Sequence, residues 1–375
     1  MCPDISTLSI VPDGAIKDTH SAKNDSDSSQ SIPAHRSHDP KNNLKRRDPF
    51  KFGSRYLEDG DDVFEFNAWD HVTPDDTYYA YAEAQYAAQR EHPVSEFDRN
   101  RFNIDPEKWW NKFYSNNTTN FFKNRKWLYQ EFPILCDLTQ KDAGPVRILE
   151  VGAGAGNTAF PLLQTNDNQE LRIYACDFSK QAVELIRADD AFDAERITAE
   201  VWDVAGHDLP PGLEENSVDV VMLIFIFSAL SPDQWKQAVE NVFRVLKPGG
   251  EICFRDYGKG DLTQVRFKKG RLLQENFYIR GDGTRVYFFE EEELRTIWAS
   301  HLSNESDLEA ERLPPENGKT SSSLKGGIIA SKSKLEILQL GVDRRMLVNR
   351  QKQLKMYRCW LQGRFRKSSS ELPPA

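Results

Sequence analysis

Residues 150–157 read Glu150-Val151-Gly152-Ala153-Gly154-Ala155-Gly156-Asn157, directly behind the short apolar run Val146 to Val151. Glycines at this spacing let the backbone turn tightly and approach a ligand closely, with a helix N-terminus just behind. The dinucleotide fingerprint would need glycine where Asn157 stands. Read alone, the stretch favours a ligand loop but also fits a plain glycine turn at a helix start. Its surroundings decide between the two. Leu171 to Cys176 is a second apolar strand ending at Asp177, and Ile197 to Trp202 is a third, ending at Asp203. Val218 to Phe227 is long and rich in branched residues, and Glu251 to Phe254 follows the turn Lys247-Pro248-Gly249-Gly250. Between the last two, Pro232 to Leu246 carries apolar residues at the helical period behind the N-cap Ser231, with Gln234 completing a capping box. Strands interleaved with helices imply right-handed crossovers and an α/β fold with a mostly parallel sheet.

In such sheets ligands bind at the carboxyl ends of the strands, where a carboxylate such as Asp177 can accept both hydroxyls of a ribose. Asp203, one strand on, is positioned to meet an adenine edge. Each acid taken singly also reads as a helix cap or loop residue.

The remaining composition narrows the class. The chain has 375 residues, 39% hydrophobic and 29% charged, with a formal net charge of −9. Its five cysteines form no CxxC pair, which disfavours a disulfide framework or zinc site, and no histidine spacing suggests a metal. The longest apolar run, Val220 to Phe227, is far below the roughly 18 residues that span a bilayer. With no basic-then-apolar leader pattern, a cytoplasmic protein is expected. The acidic total hides local excesses: Gly341 to Lys367 holds nine Lys and Arg against Asp343 alone. Within that stretch Met356 to Arg366 alternates at period two. Tyr357, Cys359, Leu361 and Phe365 form a buried face; Arg358, Gln362, Arg364 and Arg366 form an exposed basic one. Val342 to Val348 is expected as its hairpin partner. Residues 1–49 lack Phe, Tyr and Trp and are expected to be a disordered tail, as are residues 368–375 at the other end. A flexible insertion is expected at about 303–334.

The glycine loop, the two acids in order and the Leu246 to Gly250 turn together resemble the class I S-adenosylmethionine-dependent methyltransferases. That resemblance implies a Rossmann-like, seven-stranded, mostly parallel sheet with an antiparallel C-terminal hairpin over residues 145–367. A cationic sulfonium cofactor does not need the extra close approach that a diphosphate does, which suits Asn157. Carbon-5 cytosine chemistry would need a nucleophilic cysteine on an active-site loop, and Cys2 and Cys359 are not so placed. Exocyclic amine chemistry usually shows an Asp/Asn-Pro-Pro-aromatic loop, where this chain has Ile226-Phe227-Ser228-Ala229-Leu230.

Longer motifs are more specific. Trp109-Trp110-Asn111-Lys112-Phe113-Tyr114, Asn120 to Trp127, Phe254-Arg255-Asp256-Tyr257-Gly258, Arg280 to Phe289 and Met356 to Phe365 resemble the tRNA N3-methylcytidine methyltransferases. The likeness covers about Asp48 to Lys367 outside the insertion, and Asp62 to Asp70 resembles the branch acting on threonine tRNAs. It implies 3-methylcytidine at position 32 of the anticodon loop, with arginine tRNAs also open as substrates. It implies S-adenosyl-L-methionine held by Trp110, Tyr114, Gly152, Gly154, Asp177, Asp203, Val204 and Ile224. Asp256 and Arg255 are the implied catalytic pair. Residues 50–144 are expected as a helical, tRNA-binding extension and lid, in which the helix Asp75 to Arg90 docks on the lid. Lys112, Lys123, Arg125, Lys126, Arg280, Arg285, Arg358, Arg364 and Arg366 are expected to face RNA. An aminoacyl-tRNA synthetase or other tRNA-presenting helper is an implied partner. Val204 stands where relatives carry leucine, and Asn124 where aspartate is usual. Two competing readings remain: a small-molecule or protein methyltransferase, and a non-catalytic RNA-binding relative.

Overall fold

The computed structural model describes residues 56–57, 59–119, 121–125, 127–298, 301 and 334–369. The expected tail, nearly all of the expected insertion, the chain end from 370, Asn120 and Lys126 lie outside the described residues.

The chain opens with β1 (Ala68–Asp70), the helices α1 (Asp76–Glu91), α2 (Glu96–Ile104) and α3 (Pro106–Asn117), and two helical turns, α4 (Leu128–Glu131) and α5 (Ile134–Leu138). The alternating part runs β2 (Val146–Val151), α6 (Ala159–Gln164), β3 (Leu171–Asp177), α7 (Lys180–Arg187), β4 (Ile197–Val201), β5 (Val218–Ile224), α8 (Trp235–Val245) and β6 (Leu246–Tyr257). After α9 (Leu262–Val265) come a small sheet of β7 (Leu272–Gln274), β8 (Phe277–Ile279) and β9 (Arg285–Tyr287), then α10 (Glu291–Trp298) and the long hairpin β10 (Leu335–Asn349) and β11 (Leu354–Lys367).

The main sheet is ordered β1-β10-β11-β6-β5-β2-β3-β4. From β4 to β6 every pairing is parallel, and β11, β10 and β1 extend the sheet antiparallel beyond β6. The alternation of β5 shows how the sequence builds two cores. Val220, Met222 and Ile224 pack under α6 and α7, whereas Val221 and Leu223 pack under α8 with its stripe Trp235, Ala238, Val239, Val242 and Val245. A strand buried on both faces has no polar period, as expected for a parallel sheet. β5 stops at Ile224, short of the predicted Phe227, because Phe225 takes a positive φ of 62° and starts a turn.

Three expectations are corrected. Among the described residues the sheet has eight strands rather than seven, since Ala68–Asp70 pairs with Met346 and its neighbours and buries Trp69 against Met346, Val348 and Tyr357. Helix α1 docks on α9 and β8 rather than on the lid: Gln89 donates to the carbonyls of Gln264 and Phe267 and accepts from the Tyr278 hydroxyl. The basic face of β11 is engaged by carboxylates rather than bare, and only Arg366 keeps a partly exposed side chain. Arg358 donates to Asp261 at 2.8 Å, and Arg364 and Arg366 both reach Glu251 on β6 at 2.7 Å. A period of two says that a strand has two faces; it does not say that one is bare. β11 lies inside the sheet, with Glu251 buried beside it.

Arg255 ties these parts together. It points from β6 into a buried site where its guanidinium meets Asp343 of β10 at 3.0 Å and Glu131 of α4 at 3.6 Å, hydrogen-bonds Gln362 of β11, and lies between the rings of Trp127 and Trp360. All three charged groups are nearly inaccessible. Removing the cation would strand two buried carboxylates. Arg255→Met should therefore lower the free energy of unfolding by about 3–5 kcal/mol. Urea denaturation checks this, and an unchanged midpoint would reject the bridging role.

Candidate active site

The glycine run leaves β2 and turns under strict steric limits. Gly152 and Gly154 hold φ values of +64° and +59°; a Cβ on Gly152 would come within 2.0 Å of Ile226, and one on Gly154 within 2.7 Å of the Tyr114 hydroxyl. Only glycine satisfies both the backbone and the space. Asp177, at the end of β3, fixes the turn from the next strand: one carboxylate oxygen accepts the Gly154 N–H at 2.8 Å and the other the Ser179 N–H at 2.8 Å. Each oxygen keeps a lone pair for a ligand hydroxyl. Burial pushes the Asp177 carboxyl up to about 6, opposed by those two N–H groups.

Helix α3 roofs the loop. Asn111 accepts from the Ser179 hydroxyl at 2.7 Å and from the Gln181 N–H at 3.2 Å, which pins α3 to the start of α7. That places Trp110 and Tyr114, stacked at 6.1 Å, over the turn. Asp203 and Val204 complete the far side. The Asp203 carboxylate accepts the Ala205 N–H at 2.9 Å, and Asn241 of α8 holds the Val204 carbonyl at 2.9 Å.

All eight residues expected to hold a cofactor line this one cavity: Trp110, Tyr114, Gly152, Gly154, Asp177, Asp203, Val204 and Ile224. The wall also contains Arg125, Phe178, Phe225, Ile226, Gln234 and Arg285, which sequence reading did not place there. The donor set fits an adenosyl cofactor. Two strand-end carboxylates face the cavity, aromatic rings cover it, and the glycine turn leaves room where any Cβ would intrude. Arg125 could have been suspected from Glu150, the acid before the glycines. The two meet at 3.4 Å, and Arg125 also donates to Thr158 at 2.8 Å. Burial lifts the Glu150 carboxyl to about 7, and it lowers Arg125 as well.

Other expected roles meet different geometry. Asp256 does not line the cavity. It is wholly buried, its oxygens accepting the N–H groups of Ser228 and of Tyr257, each at 2.9 Å, so it anchors the 226–229 turn beside the site. Burial raises it to about 6. Arg255 points to the opposite face of β6, as neighbours on a strand must, into the charged cluster behind the sheet. The expected catalytic pair is thus divided between two faces, and neither side chain reaches the cavity. Of the residues expected to face RNA, Lys112 and Lys123 are exposed, while Arg125 and Arg285 are turned into the cavity wall. Arg280 is half-buried, donating to the Thr284 hydroxyl and the Arg285 carbonyl. Among the described residues no helix is long and apolar enough to cross a membrane.

A family model described as a methyltransferase domain matches residues 149–252, from β2 into β6. The tRNA(Thr) (cytosine(32)-N(3))-methyltransferase of Saccharomyces cerevisiae is 49% identical over 319 residues, covering 84% of this chain but 46% of that protein. The chain therefore spans under half the length of that relative. A tRNA N(3)-methylcytidine methyltransferase of Schizosaccharomyces pombe is 48% identical over 316 residues, covering 84% of this chain and 92% of the relative. A human tRNA N(3)-cytidine methyltransferase is 34% identical, covering 84% of this chain and 93% of its own length.

The raised Asp177 carboxyl has a consequence for binding. Both its oxygens accept only when it is ionised, above about pH 6, and protonation turns one of them into a donor. Affinity for S-adenosylhomocysteine should be flat above that value and fall about tenfold per unit below it. Asp177→Ala should bind about 10–100-fold more weakly at neutral pH and lose the inflection. Calorimetry across pH 5–8 decides; an inflection that survives in the variant would assign it to another group.

Proposed function

The chain belongs to the tRNA N3-methylcytidine methyltransferase family, and from that premise we propose that it transfers methyl from S-adenosylmethionine to N3 of cytidine 32 in the anticodon loop of threonine tRNAs, in the cytoplasm. One observation carries the reading. Near-half identity to the Schizosaccharomyces pombe enzyme spans almost that whole protein, and the residues the likeness implies for the cofactor converge on one cavity. The position and the threonine tRNA follow the name of the Saccharomyces cerevisiae relative.

The acceptor sets the demands on the protein. Cytosine N3 carries an in-plane lone pair at neutral pH, so no general base has to remove a proton. When bound, S-adenosylmethionine supplies an electrophilic methyl group. The chain's own residues supply position and charge. Asp177 and Asp203 orient the adenosyl part, Trp110 and Tyr114 close over it and exclude water, and Ile224 to Ile226 bound the side from which a base enters. Base 32 has to be swung out of the loop to reach this depth. Arg125, held by Glu150, presents N–H donors toward that space. Asp256 acts as a positioning residue: by holding the Ser228 N–H it fixes the turn on which Ile226 sits. The extension over residues 50–144 carries the RNA, with the exposed Lys112 and Lys123 on its surface meeting phosphates.

The test is direct. Protein incubated with labelled S-adenosylmethionine and a threonine tRNA transcript should yield labelled 3-methylcytidine on nucleoside digestion. A transcript with uridine at position 32 should remain unlabelled. Label in another nucleoside, or transfer only to small molecules, would overturn the assignment.

A further inference from the structure

Among the described residues two buried cations, Arg285 and Lys367, donate only to neutral oxygens, and of the two Arg285 lines the cavity. It is 5% exposed and lines the cavity from β9. Its guanidinium donates to Gln234 Oε1 at 3.0 Å and to Asn103 Oδ1 at 3.4 Å, both neutral amide oxygens. Gln234 Oε1 is shared further, since it also accepts from the Ser231 N–H and hydroxyl. Among the described residues no carboxylate lies within ion-pair distance of Arg285; Asp233 and Asp203 act on it only from farther off. Burial lowers its pKa to about 10, so it stays charged at neutral pH. A buried guanidinium answered by two neutral acceptors, one of them shared, and by the Phe277 ring at 5.8 Å is costly. Its planar fork has donors to spare for a further acceptor.

The surroundings say where that acceptor lies. Asp177 is bonded to the glycine turn on the side of β2 and β3, while Trp202 to Val204, Leu230 and Gln234 come from the segments after β4 and β5. Arg285 belongs to the second group by its bond to Gln234 and its electrostatic coupling to Asp203. In doubly wound sheets the carboxylate ending the second strand takes the ribose, so the neighbouring strand end meets the base. An RNA phosphate fits the place poorly. Arg285 is covered by Asn103 of α2, and the turn that leads to it is locked under α3, where a Cβ on Gly283 would sit 2.2 Å from the Trp109 ring.

Resting on the cofactor reading above, we propose that Arg285 is a cofactor-binding residue that donates from its planar fork to the acceptor nitrogens of the adenine ring. It complements Asp203, which can accept from the amino group on the same ring, so the pair reads donor and acceptor edges together. Its hydrogen bond to Asn103 also joins the base subsite to the extension.

The experiment compares two ligands by calorimetry. S-adenosylhomocysteine has both the adenosine and the amino acid; 5′-methylthioadenosine keeps the adenosine alone. Arg285→Gln should weaken both by the same factor, about 10–100-fold, with affinity for a labelled anticodon stem-loop unchanged. If the variant melts far below the wild type, Arg285→Lys carries the comparison. It keeps the charge but not the fork, and a smaller loss shared equally by both ligands is expected. Loss for S-adenosylhomocysteine alone would place Arg285 on the carboxylate and overturn the proposal. Unchanged binding of both ligands with weakened stem-loop binding would overturn it in favour of an RNA contact. Failure of the wild type to bind S-adenosylhomocysteine would overturn the cofactor reading itself, and so is distinguishable from a failure confined to Arg285.

Discussion

The guanidinium of Arg255 sits where three distant parts of the chain meet: the turn that ends the N-terminal extension, strand β6 of the alternating part, and the C-terminal hairpin. Glu131 and Asp343 are buried with it, so that each buried charge has an opposite charge beside it. This cluster determines how the hairpin closes the sheet, and the hairpin in turn gives β1 an edge to pair with. On the other face of the same strand, the adjacent Asp256 holds the turn after β5. Two consecutive residues thus fasten opposite faces of the sheet. A shift of β6 by one residue would exchange their faces, placing the carboxylate in the cluster and the guanidinium beneath the site.

The parallel half of the molecule was legible because its signals are local. Val146–Val151 and Leu171–Asp177 are short apolar runs ended by glycine or acid, and the capping box of Ser231 and Gln234 is present as read. The strand-end acids and the glycine turn that line the cavity were legible for the same reason, since both lie at fixed places in such a sheet, whereas Trp110 and Tyr114 were expected from the family resemblance alone. What was not legible depended on distant partners. Nothing near Ala68–Asp70 shows that it will pair with β10. Arg364 and Arg366 resemble a solvated face until Glu251 is brought beside them from more than a hundred residues away. Arg125 and Arg285 looked like phosphate ligands because charge in a sequence is read as exposed, and only the fold reveals that both are cavity walls.

The cavity's electrostatics follow from that burial. Glu150, Asp177 and Asp256 are all raised by desolvation, and Arg125 and Arg285 are lowered by it. Opposite shifts in neighbouring groups have one cause: the site is dry enough to penalise every charge that lacks a close partner. In a site of this kind an entering cation is attracted most by carboxylates that the fold has left only partly answered. Asp177 is one, with a single N–H on each oxygen.

That imbalance bears on the direction of the proposed reaction. A cationic cofactor entering the cavity strengthens the ionised form of nearby carboxylates, so binding and proton release are coupled. Methylation at N3 moves positive charge from the cofactor to the base, which must then leave as a cation while the spent cofactor becomes neutral at sulfur. A carboxylate facing the departing base would bind that product and slow its release. Asp256 is instead turned away, with both oxygens on backbone N–H groups, and Arg125 is a cation on the cavity wall. A cation generated beside a guanidinium is repelled rather than retained. The geometry that excludes Asp256 from direct contact therefore favours product exit, while Asp177, on the cofactor side, offers the partly answered carboxylate that attracts the incoming cation.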